Sequence, residues 1–150
     1  MNTPLVQIIE IRNQQVIVDS DLAALYGSTT KKLNQAVKRN IKRFPEDFAF
    51  RLTSSEKDWV VTNCDHLEKL KFSSTPPRVF TVFGALQASN VLSSPRAIKM
   101  SVAVVRAFVD VSYRLAETTK RLEISLKSQG YTNQEITEIL DPILALAPKK

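Results

Sequence analysis

Residues 17–45 read IVDSDLAALYGSTTKKLNQAVKRNIKRFP, and this stretch decides the fold. Asp19 or Ser20 stands where a first helix needs a cap. Leu22, Ala23, Ala24, Leu25 and Tyr26 supply its body, and Gly27 can take the left-handed conformation that stops it. Ser28 or Thr29 then caps a second helix, expected to run to about Arg43 and to end before Pro45, because proline disfavours helical geometry in the residue before it. Two short helices joined by a glycine-containing turn, the second one basic, form a helix-turn-helix pattern.

At 100° per residue, Leu33, Ala36, Val37, Ile41 and Phe44 gather on one side of the second helix and are expected to pack on Leu22 and Leu25. Lys31, Gln35, Lys38 and Lys42 fall nearly opposite, with Lys32, Arg39 and Arg43 on a flank. An ordinary solvated helix intersperses acids with its bases, since opposite charges four residues apart stabilise it and like charges repel. Residues 31–43 hold six bases and no acid. The whole chain has 21 Lys and Arg against 15 Asp and Glu, so 21 less these 6 leaves 15 of each sign, and the net charge of +6 resides in this one segment. A polyanionic partner is the expectation. Lys31, Lys32, Lys38, Arg39, Lys42 and Arg43 suit phosphates, while Gln35, with Asn34 and Thr30 near the helix start, suits base edges in a major groove, where amides pair best with adenine.

Working outward, residues 6–18 hold two β-branched apolar runs around polar Arg12, Asn13, Gln14 and Gln15, the pattern of a β-hairpin. Phe48, Phe50 and Leu52 alternate with Ala49 and Arg51 and predict a strand. Thr53-Ser54-Ser55-Glu56 fits a capping box opening a short helix through Trp59, a tryptophan expected to anchor the core. Residues 63–78 read as an exposed loop around Ser73-Ser74-Thr75-Pro76-Pro77, either a plain surface loop or a wing reaching DNA with Lys69, Lys71 and Arg78 at its base. Residues 79–82 predict a strand and residues 84–92 a helix, and Ser94-Pro95 opens a long helix towards Leu126 with no interior glycine or proline. Gly130 ends it. Thr132 or Asn133 caps a last helix to about Leu146, followed by a Pro148-Lys149-Lys150 tail.

Several of these segments together resemble the phage ORF-six N-terminal domain family, related to the KilA-N and Bro-N domains of bacteriophages and large DNA viruses. They are residues 17–27, residues 30–40, Arg43-Phe44-Pro45-Glu46-Asp47-Phe48, Phe80-Thr81-Val82-Phe83-Gly84, Leu92-Ser93-Ser94-Pro95-Arg96-Ala97 and Arg106-Ala107-Phe108-Val109, in order over about residues 5–110. The resemblance implies an α+β DNA-binding domain of the kind found in phage antirepressors and their prophage-derived relatives. The family usually carries a polar or acidic residue where this chain has Val82-Phe83 before Gly84. If that position meets a partner, the partner surface here is altered.

Val104, Phe108, Val111, Leu115, Leu122 and Leu126 recur at threes and fours along the long helix, with Thr118 in the remaining place. The first half is expected to pack on the domain core. Past about Tyr113 the seam needs another cover, either the last helix, through Ile136, Ile139, Leu140, Ile143 and Leu144, or a second subunit.

The remaining composition narrows the classes. No apolar run approaches the roughly 20 residues of a membrane span, and Met1-Asn2-Thr3-Pro4 lacks the features of a secretory signal. Cys64 and His66 are the only residues of their kinds, which speaks against a disulfide framework or a Cys/His zinc cluster and fits a reducing cytoplasm; no cofactor is expected. As a catalytic pair they lack a third partner, so no enzyme activity is expected. The expectation is an α+β domain over residues 1–112, with an N-terminal β-hairpin, helix-turn-helix and small β elements. It binds double-stranded DNA specifically, and a helical oligomerisation region over residues 113–150 makes it a homodimer. The rival is an antirepressor whose basic helix docks on a repressor protein instead.

Overall fold

The computed structural model describes residues 6–145, so the tail at 148–150 and the first five residues lie outside the described part, as does the Leu144 side chain. β1 (Ile8–Ile11) and β2 (Gln14–Val18) form the expected hairpin. Its two-residue turn places both Arg12 and Asn13 at positive φ, 53° and 61°, matching the twist of the strands. β3 (Ala49–Arg51) and β4 (Arg78–Phe80) complete an antiparallel sheet in the order β1-β2-β4-β3. Phe80 lies opposite both Ile17 and Ala49, and Val79 opposite Val18 and Phe50.

Both faces of this sheet are covered, and its alternation sorts the core in two. Ile17, Ala49 and Phe80 face a cluster with Leu22 of α1 (Asp19–Leu25), Leu33 and Val37 of α2 (Thr30–Arg39) and Ala88 of α4 (Val82–Val91). Val16, Val18, Phe50 and Val79 face the other way, onto Val60 of α3 (Ser54–Asn63) and Leu67. Gly84 sits where α4 passes the backbone of Phe48, just before β3: a Cβ there would stand 1.9 Å from the Phe48 carbonyl oxygen, so only glycine permits this approach.

Several expectations need correction. Asp19 and Ser20 lie inside α1, whose N-cap is Val18. α2 stops at Arg39 instead of Arg43: Asn40 leaves helical geometry at φ −121° and ψ 32°, its backbone N–H shared between Ala36 O and Val37 O and its side-chain amide donating back to Ala36 O (2.8 Å). Ile41–Arg43 form a separate 3₁₀ turn, which swings Ile41 out to 53% exposure while Phe44 still reaches the core. Leu25 is 40% exposed, and it is Leu22 that joins Leu33 and Val37 in the core. Trp59 is 47% exposed, since α3 buries its neighbour Val60 instead. Asp65–Phe72 is a 3₁₀ helix pinned by buried Leu67, which leaves residues 73–76 as the exposed loop, with Pro77 buried after it. Val82 belongs to α4, not to the preceding strand, because the Thr81 hydroxyl caps the helix by accepting from Gly84 N.

The chain divides into two compact units between Val104 and Val105, a boundary that falls inside α5 (Pro95–Ser128). In the first unit Ala97 is the buried residue of α5. Farther along, in the second unit, Phe108 is 72% exposed, and Val111 and Leu115 are exposed too. In the second unit Gly130 ends α5 at φ 93°, with Tyr131 N donating to Leu126 O and Gly130 N to Lys127 O. A Thr132–Glu135 capping box opens α6 (Asn133–Leu144), where Ile136 and Leu140 are buried while Ile139 and Ile143 remain exposed.

Candidate nucleic-acid interface

The turn between α1 and α2 is built from local hydrogen bonds. Ser28 N donates to Ala23 O at 2.8 Å and Gly27 N to Ala24 O at 3.1 Å, a Schellman stop that requires Gly27's φ of 64°. The Thr29 hydroxyl then accepts from Lys32 N at 3.1 Å and starts α2. Leu33 and Val37 are fully buried and Ala36 packs beside them, so the roll of α2 about its axis is set by the core. Lys31, Lys32, Gln35, Lys38 and Arg39 are thereby held exposed.

The expected site residues separate into three groups. Thr30, Lys31, Lys32, Gln35, Lys38 and Arg39 share α2's outward surface, and Lys42 and Arg43 are exposed on the 3₁₀ turn beyond it. Asn34 is turned inward. Its amide donates to Asp19 Oδ2 (2.9 Å) and to Thr30 O (3.1 Å), tying α2 to the start of α1, while its own Oδ1 is buried with no hydrogen-bond partner. That anchoring competes with the base-reading expectation for this residue.

None of the six bases between Lys31 and Arg43 has an acidic partner among the described residues, where ion pairs form instead at Arg12–Glu56, His66–Asp21, Lys71–Glu68, Arg114–Asp110 and Arg121–Glu117. Grooves border α2 on both flanks. One, of about 570 Å³, runs between Lys32, Gln35 and Arg39 and the turn at Ser93, Ser94 and Pro95. The other, of about 490 Å³, lies between Thr30 and Asn34 and the segment carrying Arg51, Lys69 and Pro76. Ser94-Pro95 is legible in the sequence as a helix start, but nothing local brings that turn or Arg51 to α2, because each is far away along the chain.

Elsewhere the first unit has an apolar groove of about 360 Å³, bordered by Ile8, Leu25, Val82, Leu86 and Met100. Val82 is 65% exposed there, and Phe83 stacks on Phe48 with ring centroids 5.4 Å apart. The Val82-Phe83 departure therefore lies on the surface.

Cys64 and His66 do not combine into a reactive pair. Burial, reinforced by Asp65 and Asp21, pushes the Cys64 thiol up, away from the thiolate a nucleophile needs. His66 Nε2 is engaged with the Asp21 carboxylate (2.9 Å) and Nδ1 with Gln7 Oε1 (3.0 Å), bracing α1 against the segments on either side. Among the described residues no three His, Cys, Asp or Glu side chains gather as a metal set, and no helix is long and apolar enough to cross a membrane.

Comparison with known proteins gives one family match, the ORF6N domain, over residues 6–91, which is more than half of the chain. No curated protein and no solved structure matches.

Proposed function

The chain belongs to the ORF6N domain family, a phage-type regulatory domain, and from that premise we propose that it binds double-stranded DNA through the outward surface of α2, as a cytoplasmic transcriptional regulator or antirepressor. The observation that carries this reading is the set of six bases at residues 31–43 without an acidic partner. Cations left unpaired repel one another, and a phosphate backbone supplies the missing counter-charge while releasing its condensed counterions. Sequence specificity falls to Gln35, the amide held outward on the same helix. The test is binding of a labelled duplex across a salt series. Log affinity should fall linearly with log salt, with a slope near −0.9 for each phosphate neutralised, and selection from a random duplex library should then return a preferred site. A flat salt response, or no binding, overturns the proposal.

A second reading, an antirepressor that grips a repressor protein, is favoured by the apolar groove at Ile8, Leu25, Val82, Leu86 and Met100. It predicts a stable complex with the cognate repressor that Val82→Glu disrupts, with no requirement for duplex binding.

We further propose that residues 1–112 are the DNA-binding domain and that residues 113–150 make the protein a homodimer. Leu115 and Leu122 on α5, with Ile139 and Ile143 on α6, are exposed apolar side chains in the second unit. Burying each would recover roughly 1.5–3 kcal/mol, and two copies would double the basic surface on DNA. The full chain should sediment as a dimer at micromolar concentration, and Leu115→Arg/Leu122→Arg should return it to monomer. A wild-type monomer removes this part of the proposal.

A further inference from the structure

We infer that the groove between α2 and the α4–α5 turn seats the sugar-phosphate backbone of one DNA strand, with Arg96 as a phosphate-binding residue alongside Lys32 and Arg39. This rests on the duplex-binding reading and extends it to a second segment of the chain.

Charge is the first argument. The groove's lining includes Lys32 and Arg39 and no acid. The groove on the other flank of α2 carries Arg51 and Lys69 but also Asp19, whose carboxylate is engaged by the Asn34 amide and by Ser20 N at 2.7 Å. Cations thus stand on both flanks, and the first is the one whose lining holds no carboxylate.

Availability is the second. Thr29 Oγ1 caps α2, and Ser94 Oγ donates to Tyr26 O (2.6 Å) while accepting from Ala97 N (3.3 Å), so these hydroxyls hold the two turns in place. The side chains of Lys32, Arg39, Ser93 and Arg96 are exposed and make no hydrogen bond or ion pair with another described group. The polar groups around the groove thus divide into structural hydroxyls and unengaged donors.

Shape is the third. Arg96 directly follows Pro95 in the groove wall, and its Cδ passes 3.5 Å from where a Cβ on Gly27 would stand. Its stem therefore lies along the α1–α2 turn that forms the groove's end. From Lys32 to Arg39 is seven residues, about 10 Å along the helix axis, longer than a single small anion needs and suited to successive phosphates on one strand, which advance about 3.4 Å per nucleotide along the duplex axis. The N-terminus of α5, at Pro95 in the groove wall, adds a partial positive charge. A helix lying in a major groove has a strand on each flank, and this groove supplies the binding surface for one of them.

The experiment measures binding of a labelled duplex longer than two helical turns, over a salt series, for wild type, Arg96→Ala, Arg96→Lys, Arg39→Ala and the outer-surface variant Lys38→Glu. Circular dichroism checks that each is folded. Arg96→Ala and Arg39→Ala should each flatten the log–log salt slope by about 0.9 and weaken binding by about three- to tenfold at moderate salt, and Arg96→Lys should restore most of that affinity. If Lys38→Glu weakens binding while Arg96→Ala and Arg39→Ala behave as wild type, the groove is overturned and the duplex-binding reading stands. If wild type binds no duplex, both fall. If inorganic phosphate at millimolar concentration displaces nothing, the groove reads a strand and not a free ion; if it competes fully, the groove is a small-anion seat and the inference fails.

Discussion

α2 and the outer part of α5 are both solvent-facing helices rich in charge, and they are built on opposite plans. On α5, cations follow acids by one turn: Asp110 pairs with Arg114 at 3.1 Å and Glu117 with Arg121 at 2.6 Å. This is the favourable i,i+4 order for a helix that stabilises itself. On α2 the bases have no such partners, yet Leu33 and Val37 are fully buried. On α5 the apolar stripe at Phe108, Val111 and Leu115 is open to water. One helix commits its apolar side to the fold and leaves charge unanswered; the other answers its own charge and leaves apolar surface uncovered. The first arrangement suits a polyanion, the second a hydrophobic partner.

The comparison breaks most readily in the core. Leu33→Ala should destabilise the protein by about 2–5 kcal/mol, whereas Leu122→Ala, at a 44% exposed position, should change the stability of the isolated chain little. Denaturant midpoints of the two variants decide it, and equal losses would mean that the α5 stripe is already covered.

Charge reversal comes next. Lys38→Glu/Lys42→Glu should weaken duplex binding by roughly ten- to a hundredfold and flatten the salt slope by about 0.9 for each phosphate no longer neutralised, with the melting temperature unchanged. Arg121→Ala should instead leave binding intact and cost only about 0.3–0.5 kcal/mol of helix stability. If reversal on α2 leaves binding unaltered in a folded protein, that helix is not the interface.

Gln35→Ala sharpens the comparison further, since it asks whether α2 reads sequence or only charge. Affinity for the selected site should fall by roughly 1–3 kcal/mol and for random DNA much less. Equal losses on both would assign Gln35 to the backbone.

The smallest effect is on acid stability. The Arg12 guanidinium, bonded to Glu56 at 2.9 Å, holds that carboxyl at about 2, with Thr53 N assisting. A carboxyl whose folded pKa is depressed contributes stability above its ordinary value of 4.5 and loses it as pH falls towards 2. Both partners are solvent-accessible, so the contribution is modest. Glu56→Gln should shallow the fall in stability between these values, and a wild-type-like acid limb would show that the pair contributes nothing.

Residue by residue, what was legible in the sequence was local. Gly27, Thr29, the Thr53–Glu56 box, Pro95 and the Thr132 cap each act on backbone groups within four or five residues, so spacing alone reveals them. Asn40 is local too, but its effect was masked because a helical wheel carries no information on side chains that hydrogen-bond back to the ladder. The wheel therefore extends α2 over Lys42 and Arg43, which stand on the 3₁₀ turn instead.

The segregation of charge into residues 31–43, the two helices about Gly27 and the α+β order of elements were determined by the sequence itself, since they depend on composition and on neighbours a turn away. Only the tertiary structure decided that Asn34 turns inward to Asp19, that the Ser93–Pro95 turn walls a groove beside α2, and that Phe108 stands in water. Those outcomes depend on which distant segments compete for the two faces of one small sheet. Burial is a property of that competition, and no single stretch of chain encodes it.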